Sequence, residues 1–356
     1  MTEIATAFRK IQIAILRFCL VTFARLFGPI IPKDSGLVIF GSMNGGAYGD
    51  NSAHLIEWML DHVPEVRTVW ITRSRSVRDD LEKKGLPVLI AGSFRGTLAL
   101  LRAKIGVFTN SLSDLSAYPE MVPASIKLIA LRHGQPIKRL RFARNKHKMD
   151  RKEDKARTRE GSLISYAAST SEFISDIQEK CLLIGRHKHI VTGYPRNDNL
   201  IDIPEKYHEK WSGFLHGYKP SKVVLYALTW RYGRAEPIFF PFEDFNHIEL
   251  TKILKKHNTI LLLRPHIRDL DIYPELRSRL EAFTGDGSVR LATHHEIMDV
   301  NTMLPFIDVM ISDYSSIYHD FLLLDRPLMF TPYDYREFEQ QQGFLYDYFK
   351  TLPGPA

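Results

Sequence analysis

Short apolar runs alternate with amphipathic stretches from residue 36 onward. Runs of apolar and β-branched residues predict strands at 37–41, 68–72, 87–90, 105–109 and 126–131. Between them, apolar residues that recur every three or four positions predict helices at 52–62, 77–84 and 93–102. Such alternation is typical of a parallel sheet with helices on both faces.

The same alternation restarts after Pro195, Pro204 and Pro220. It predicts strands at 223–226, 259–263, 309–312 and 328–331, and helices at 248–256, 301–305 and 317–324. We therefore expect an α/β protein with two Rossmann-like halves, residues 36–195 and 196–356. In such folds the ligand lies beyond the carboxyl ends of the strands, so a cleft between facing halves is the expected site.

The N-terminal stretch 1–33 differs from the rest of the chain. No run reaches the roughly 18–20 apolar residues of a membrane span, and two arginines interrupt the stretch 11–31. At 100° per residue, Arg9, Lys10, Arg17 and Arg25 fall on one arc of about 160°. This pattern predicts an amphipathic helix that lies in an anionic lipid interface. A helix packed on its own domain or on a dimer partner is the alternative.

Composition narrows the protein class. The chain has 356 residues, of which 44% are apolar and 25% are charged, as in an average soluble globular protein. These values exclude a disordered, collagenous or coiled-coil protein. The formal net charge of +7 favours an anionic partner. Cys19 and Cys181 are too few for a disulfide framework, which favours a reducing cytoplasmic setting.

A basic run extends from residue 138 to 159 and holds eleven lysines and arginines. It is either a solvated loop or a contact to lipid phosphates or an anionic acceptor. It lacks the series of aromatic residues on which successive bases would stack, so we expect no nucleic acid partner.

Candidate catalytic side chains follow two of the predicted strands. His133, after the strand at 126–131, is an imidazole that can take a proton from an attacking hydroxyl, or else a structural histidine. Arg264 and His266, after the strand at 259–263, suit a diphosphate, or else form a surface salt bridge.

Three further segments can hold a nucleotide. Ser315 and Ser316 lie where a strand gives way to a helix, so they either hold phosphate oxygens or act as ordinary N-caps. Arg196 follows a Gly-Tyr-Pro turn and can reach a phosphate, and Trp230 either packs or lines a nucleotide pocket. We find no metal motif, no Walker A loop and no nucleophile elbow, so we expect neither a metal nor another cofactor.

These segments together resemble the CDP-glycerol glycerophosphotransferase family of wall teichoic acid synthesis. The resemblance rests on RHGQP at 132–136, TGYPRND at 192–198, LTW at 228–230, RPH at 264–266 and SDYSSIYHD at 312–320, in the family's order, and on the tail at 326–348. It implies a GT-B architecture, with residues 36–195 as the acceptor domain and 196–356 as the CDP-alditol donor domain. It also implies transfer of glycerol phosphate from CDP-glycerol to a lipid-linked glycan acceptor at the cytoplasmic membrane face.

The resemblance assigns roles by motif. His133 is the implied base, and His266 is implied to assist the departure of CMP. The implied donor-binding residues are Arg132, Gly134, Gln135, Pro136, Arg196, Thr229, Trp230, Arg264, Ser315, Ser316 and Asp320. The implied acceptor or membrane residues are Asn51, Lys138, Arg139, Arg141 and Arg144.

Some residues depart from the family pattern. Arg132 stands where the family usually has Trp, Gln135 replaces Thr, and Leu228 replaces Pro. Glycerol and ribitol donors, priming and polymerising activity, and a homo-oligomer therefore all stay open. A nucleotide-sugar glycosyltransferase of GT-B type and a non-catalytic basic binding protein are the competing hypotheses. Family members usually continue past the position of Ala356 with a further helix, so we expect this chain to be shortened there.

Overall fold

The chain divides into two compact units. The computed structural model describes residues 2–143, 151–231 and 237–353. Unit 1 comprises residues 1–133 and 150–195, and unit 2 comprises residues 134–149 and 196–356. No pattern in the sequence indicates that residues 134–143 group with the second unit. The facing arrangement of the two halves stays a prediction.

Unit 1 is built on a seven-stranded parallel sheet. Its strands are β1 (Asp34–Gly41), β2 (Arg67–Thr72), β3 (Val88–Ile90), β4 (Ala103–Phe108), β5 (Lys127–Ala130), β6 (Ile164–Ser169) and β7 (His189–Val191). They lie in the order β3-β2-β1-β4-β5-β6-β7. The central strand β1 is buried on both faces, with Ile39 and Phe40 fully covered, as its continuous apolar run predicts.

In unit 1, one helix precedes the first strand and the others lie between strands. The helices are α1 (Thr2–Phe27), α2 (Asp50–His62), α3 (Arg75–Lys83), α4 (Phe94–Arg102), α5 (Arg151–Leu163) and α6 (Glu172–Leu182). Ser74, Ser93 and Ser171 start α3, α4 and α6, and each side chain accepts a backbone N–H of the first turn. The prediction that the whole basic run 138–159 is a loop is wrong, because α5 begins within it at Arg151. Acidic residues in the first turn of α5 favour the helix by interacting with its dipole.

Unit 2 has a five-stranded parallel sheet. Its strands are β8 (Lys222–Ala227), β9 (Thr259–Arg264), β10 (Val289–Leu291), β11 (Val309–Ser312) and β12 (Leu328–Phe330). They lie in the order β10-β9-β8-β11-β12, so the direction of winding reverses between β8 and β11. In parallel α/β sheets, ligands bind beyond the carboxyl ends of the strands at this reversal point.

The helices from residue 195 onward are α7 (Pro195–Ile201), α8 (Glu205–Phe214), α9 (His247–Lys256), α10 (Ile267–Ile272), α11 (Pro274–Glu281), α12 (Ile317–Phe321), α13 (Tyr335–Gln341) and α14 (Tyr348–Thr351). The predicted helix at 301–305 is wrong. Two 3-10 turns, Val300–Thr302 and Leu304–Phe306, occupy that stretch. Pro305 lacks the N–H that a continuous α-helix would need there.

The segment after Gly134 is fixed by the C-terminal part of unit 2. The amide of Leu345 donates to the carbonyl of Ile137 at 2.8 Å, and the amide of Arg139 donates to that of Gly343 at 2.9 Å. The tail itself is anchored because the ring of Tyr314 stacks on that of Phe338, with centroids 4.2 Å apart. These contacts hold residues 134–143 against the rest of unit 2.

Helix α1 packs on unit 1 along one side only. Arg17 pairs with Glu120, and Ala24, on the same side of the helix, is buried. On the opposite side, Phe8 and Leu26 are 62% and 64% exposed. Among the described residues, no helix has the length and apolar character to cross a bilayer. The lipid-interface role of α1 stays a prediction.

Candidate functional site

Two predicted motifs of unit 2 meet at the reversal point of its sheet. The hydroxyl of Ser312, at the end of β11, donates to the carbonyl of Ala227, at the end of β8, at 2.8 Å. Beyond these strand ends, the amide of Thr229 donates to the Asp313 carboxylate at 2.8 Å. The segments LTW and SDYSS therefore form one structural element at the position where α/β sheets bind ligands.

A buried ion cluster holds this element in place. The guanidinium of Arg231 pairs with Asp313, and it also donates to both carboxylate oxygens of Asp334 at 3.1 Å. Burial alone would lower the pKa of Arg231, but Asp313 and Asp334 raise it above the usual value. The motifs gave neither Arg231 nor Asp334 a role. Arg231 directly follows the LTW motif, and Asp334 lies in the family-like tail.

His266 is a neutral hydrogen-bond donor. Burial lowers its pKa to about 3, and the nearby charges of Lys138, Arg268 and Arg264 add to this effect. Its Nδ1 accepts the backbone N–H of Arg268 at 3.2 Å. Because a neutral imidazole carries one proton, this bond assigns the proton to Nε2. The ring of Trp230 lies beside it, with centroids 6.4 Å apart.

Arg264 supplies a fixed positive charge next to His266. Its Nη1 donates to the carbonyls of Ala292 at 2.7 Å and Ile297 at 3.0 Å. Burial lowers the pKa of Arg264 to about 10, so the guanidinium stays charged at neutral pH. Burial and the Arg264 charge lower the pKa of His294 as well. His294 was not foreseen, although it follows β10 as His266 follows β9.

Lys138 lies beside the predicted donor residues. Its ammonium group donates to Oγ1 of Thr229 at 2.6 Å. Of the other basic residues proposed for the acceptor or the membrane, Arg139 donates through Nε to the carbonyl of Phe344 at 3.2 Å. Arg141 is half-buried and begins the short 3-10 turn Arg141–Ala143. Arg144 falls outside the described residues.

Gly134 lies against a second group of predicted donor residues. Its φ is +144°, and a Cβ at this position would lie 3.0 Å from Oγ of Ser316 and 3.4 Å from Nη2 of Arg196. Arg196 in turn donates to the buried carboxylate of Asp320 at 2.7 Å. A larger residue would need a strained backbone and would displace Ser316, so glycine is required here.

The other residues of these motifs differ in capping and in burial. Ser316 makes no side-chain capping hydrogen bond to α12, which does not fit an ordinary N-cap. Ser315 and Gln135 are half-buried, and Pro136 is buried.

In unit 1, Asn51 supports the turn that carries His133. The Asn51 amide, fully buried at the start of α2, donates to the carbonyl of Arg132 at 2.8 Å. Arg132 has a left-handed φ of 63°, which the bond to its carbonyl helps to hold. His133 follows and is exposed. Asn51, predicted for the acceptor side, therefore helps to fix the turn that carries His133.

The side chain of Arg132 is unusual, as its backbone is. Its side chain is buried, and Nη1 has no hydrogen-bond partner among the described residues. A buried cationic nitrogen without a partner is costly, and a bound anion would satisfy it.

Loss of the Asn51 bond should affect turnover more than donor affinity. In Asn51→Asp, a carboxylate oxygen replaces the amide N–H that faces the Arg132 carbonyl. The loss of such a buried bond corresponds to a fall in kcat of roughly 5- to 150-fold, with KM for the donor little changed. Steady-state kinetics measure this split.

Ser52→Ala is the matched control for Asn51→Asp. Ser52 is the next buried polar residue of α2, and its hydroxyl has no hydrogen-bond partner among the described residues. We expect near-normal kcat for this variant. An equal loss in both variants would contradict the positioning role of Asn51.

Comparison with known proteins identifies the family. Residues 24–356 match the family model described as CDP-Glycerol:Poly(glycerophosphate) glycerophosphotransferase. The chain belongs to this family. The prediction of a glycerophosphotransferase from the five ordered motifs is thereby confirmed.

Relatives of this glycerophosphotransferase act in teichoic acid synthesis. It is 25% identical over 337 residues to the teichoic acid glycerol-phosphate transferase of Staphylococcus aureus, with 90% of this chain and 80% of that one covered. It is 28% identical over 341 residues to the teichoic acid poly(glycerol phosphate) polymerase of Bacillus subtilis. That match covers 91% of this chain but only 42% of the polymerase.

A solved structure of the wall teichoic acid polymerase TagF has the same fold. The TM-score is 0.76 at 23% identity, and the match covers 99% of this chain and 85% of that one. At this level of identity the likeness shows the fold alone. It agrees with a mixed α/β protein with two parallel sheets, as predicted. In the described ranges, no group of three or more His, Cys, Asp or Glu is arranged to hold a metal ion.

Proposed function

We propose that this chain transfers glycerol phosphate from CDP-glycerol to a hydroxyl of a lipid-linked, teichoic acid-type acceptor and releases CMP. The observation that carries the proposal is the group at the reversal point of the unit 2 sheet. There a neutral His266 lies near the charges of Arg264 and Lys138. Cations and a neutral N–H donor are what a diphosphate needs for recognition.

The reaction is an in-line displacement at the phosphorus that bears glycerol. The acceptor oxygen forms a new P–O bond, the P–O bond to the CMP phosphate breaks, and CMP leaves with the bond's electron pair. His133 takes the proton of the acceptor hydroxyl. Because a phosphoryl group needs positioning and charge stabilisation, most of the work falls to the residues around the diphosphate.

Donor and acceptor roles divide between the units in this proposal. Unit 2 holds the CDP-alditol through Arg264, His266 and Ser316, while Trp230 lines the nucleotide pocket. Unit 1 presents His133 to the acceptor hydroxyl and contributes Arg132 to donor binding. A GT-B arrangement of two Rossmann-like units, at the cytoplasmic face of the membrane, is part of the same proposal.

Donor choice and reaction type are tested together. The purified chain is incubated with CDP-glycerol and a lipid-linked disaccharide, and CMP release and product mass are measured. Parallel reactions contain CDP-ribitol or a UDP-sugar. We expect CMP release and an acceptor heavier by one or more glycerol phosphate units. Donor binding without CMP release would favour a binding protein, and sugar transfer would favour a glycosyltransferase.

Removal of the His266 imidazole should weaken catalysis. His266→Ala removes the Nε2–H donor, and the loss of one such donor to a developing negative charge costs roughly 10²–10³-fold in kcat. Because the pKa of His266 lies near 3, its ring should also show no titration between pH 5 and 8 in NMR spectra of the free protein. Its protonated form appears only as the pH falls toward 3.

His294→Ala is the comparison for His266→Ala. Both histidines follow strands of unit 2 and both have a lowered pKa, but His294 belongs to no motif of the family. We expect the smaller loss in His294→Ala. A His266 ring that titrates near its ordinary value would contradict the neutral-donor role.

We propose further that α1 holds the protein on an anionic membrane through its exposed apolar side. Deletion of residues 1–33 should abolish co-sedimentation with phosphatidylglycerol vesicles and leave CMP binding in place. Phe18→Glu, at a position 71% exposed on α1, should weaken sedimentation in the full chain. Phe173→Glu, on α6, is the control at a 54% exposed position. Unchanged sedimentation after the deletion would refute this role.

A further inference from the structure

A pocket of about 440 Å³ lies at the C-terminal end of α1, within unit 1. The end of α1 and the turn after it contribute Ala24, Arg25 and Pro29. The loop 120–125 forms a second wall, and Arg159 of α5 closes a third. Its volume falls in the range of roughly 300–1,000 Å³ that is typical of small-molecule sites. None of these residues belongs to the donor or acceptor motifs.

Positive charge in the pocket exceeds negative charge. Arg159 is held in place because it donates to the carbonyls of Pro119 at 3.2 Å and Val122 at 2.8 Å. Burial lowers the pKa of Arg159, the Glu120 carboxylate partly offsets this effect, and the charge of Arg25 lowers the pKa further, so both guanidinium groups act in the same pocket. Glu120 is the carboxylate of the lining, and it already pairs with Arg17.

The rest of the lining and its surroundings are apolar. The loop wall includes Met121, Val122 and Pro123. Leu26, on the opposite side of α1 from Ala24, is 64% exposed, and Ile30, the residue after Pro29, is 72% exposed. A ligand that fits both features has an anionic head and an apolar tail. Guanidinium groups are well suited to a phosphate, because their N–H donors match its oxygens.

We propose that this pocket binds the phosphate headgroup of an anionic membrane phospholipid, with the acyl chains along the exposed apolar side of α1. The inference rests on the membrane association proposed above and gives that association a specific lipid contact. Arg25 and Arg159 hold the phosphate, while Leu26 and Ile30 lie toward the chains. A headgroup bound in the pocket then places unit 1 at the level of the lipid headgroups. This contact acts in addition to the general electrostatic attraction between basic residues and an anionic membrane.

The test uses monomeric dihexanoyl phosphatidylglycerol and the full-length chain. Titration calorimetry should detect binding, with weaker binding of dihexanoyl phosphatidylcholine and of inorganic phosphate. Arg25→Gln should weaken binding by roughly fivefold, the effect of one basic residue near an anionic surface. Ala124→Trp, at an exposed position of the lining, should weaken it without a change of charge by filling the pocket.

Arg78→Gln is the control, because it removes one arginine from α3, which does not line the pocket. We expect normal lipid binding in this variant and an unchanged affinity for CMP in all of them. Equal lipid binding by the wild type, Arg25→Gln and Ala124→Trp would overturn the proposal. So would inorganic phosphate that binds as tightly as the lipid. If the wild type sediments with vesicles but does not bind monomeric dihexanoyl phosphatidylglycerol, the headgroup pocket is refuted and the membrane role of α1 stands. If it binds the monomeric lipid but does not sediment with vesicles, the membrane role of α1 is refuted.

Discussion

His133→Ala should lower CMP release by roughly 10²–10⁴-fold, the usual contribution of a general base. The variant leaves unit 2, the proposed donor-binding unit, unaltered, so its affinity for CMP should not change. The imidazole is exposed at the end of β5, where an acceptor hydroxyl has access to it. Single-turnover assays with CDP-glycerol and a saturating acceptor measure the chemical step directly, apart from product release.

His62→Ala controls for the loss of an exposed imidazole from unit 1. His62 lies at the end of α2 and stacks on Trp58, with centroids 4.5 Å apart. Turnover of this variant should stay near that of the wild type. If His133→Ala released CMP at the wild-type rate, the base would have to be another group. A loss of CMP affinity as large as the loss of turnover would indicate damage to unit 2.

Much of the fold was predictable because parallel α/β sheets have strong sequence signals. Buried central strands such as β1 and β9 read as continuous apolar runs, and both were found. The strands β6, β7 and β10 were missed. Exposed Tyr166 interrupts the run of β6, and β7 carries only three residues, two of them exposed. Strands that are interrupted or this short have a weak apolar signal.

The candidate site was predictable where one segment carried the chemistry. His133, Arg264, His266 and Ser316 follow strand ends, and a strand end is visible in sequence. Contacts between distant segments were not visible. Lys138 meets Thr229 across 91 positions, and its basic neighbours suggested a membrane or acceptor contact instead. This contact is visible only in the structure, where residues 134–143 pack against the rest of unit 2.

The ion cluster around Arg231 makes the strongest prediction for stability. Arg231 lies between two carboxylates and under aromatic rings, with its guanidinium carbon 5.4 Å from the Tyr314 centroid. The side chains of Arg231 and Asp313 are 2% and 0% exposed, so water cannot replace a lost partner. Deletion of one member leaves an uncompensated buried charge, which is far costlier than loss of a surface pair.

Arg231→Met should therefore lower the free energy of unfolding of unit 2 by about 3–5 kcal/mol. Asp313 and Asp334 would lose the guanidinium that neutralises them, and the loops after β8 and β11 would lose their common anchor. Urea denaturation, followed by the fluorescence of Trp211 and Trp230 in unit 2, measures the change. Arg290→Met, which removes a partly buried arginine that donates to the Phe214 carbonyl at 3.4 Å, is the control and should cost much less. A loss below about 1 kcal/mol in Arg231→Met, the range of exposed pairs, would show that the cluster is not the anchor of the donor site.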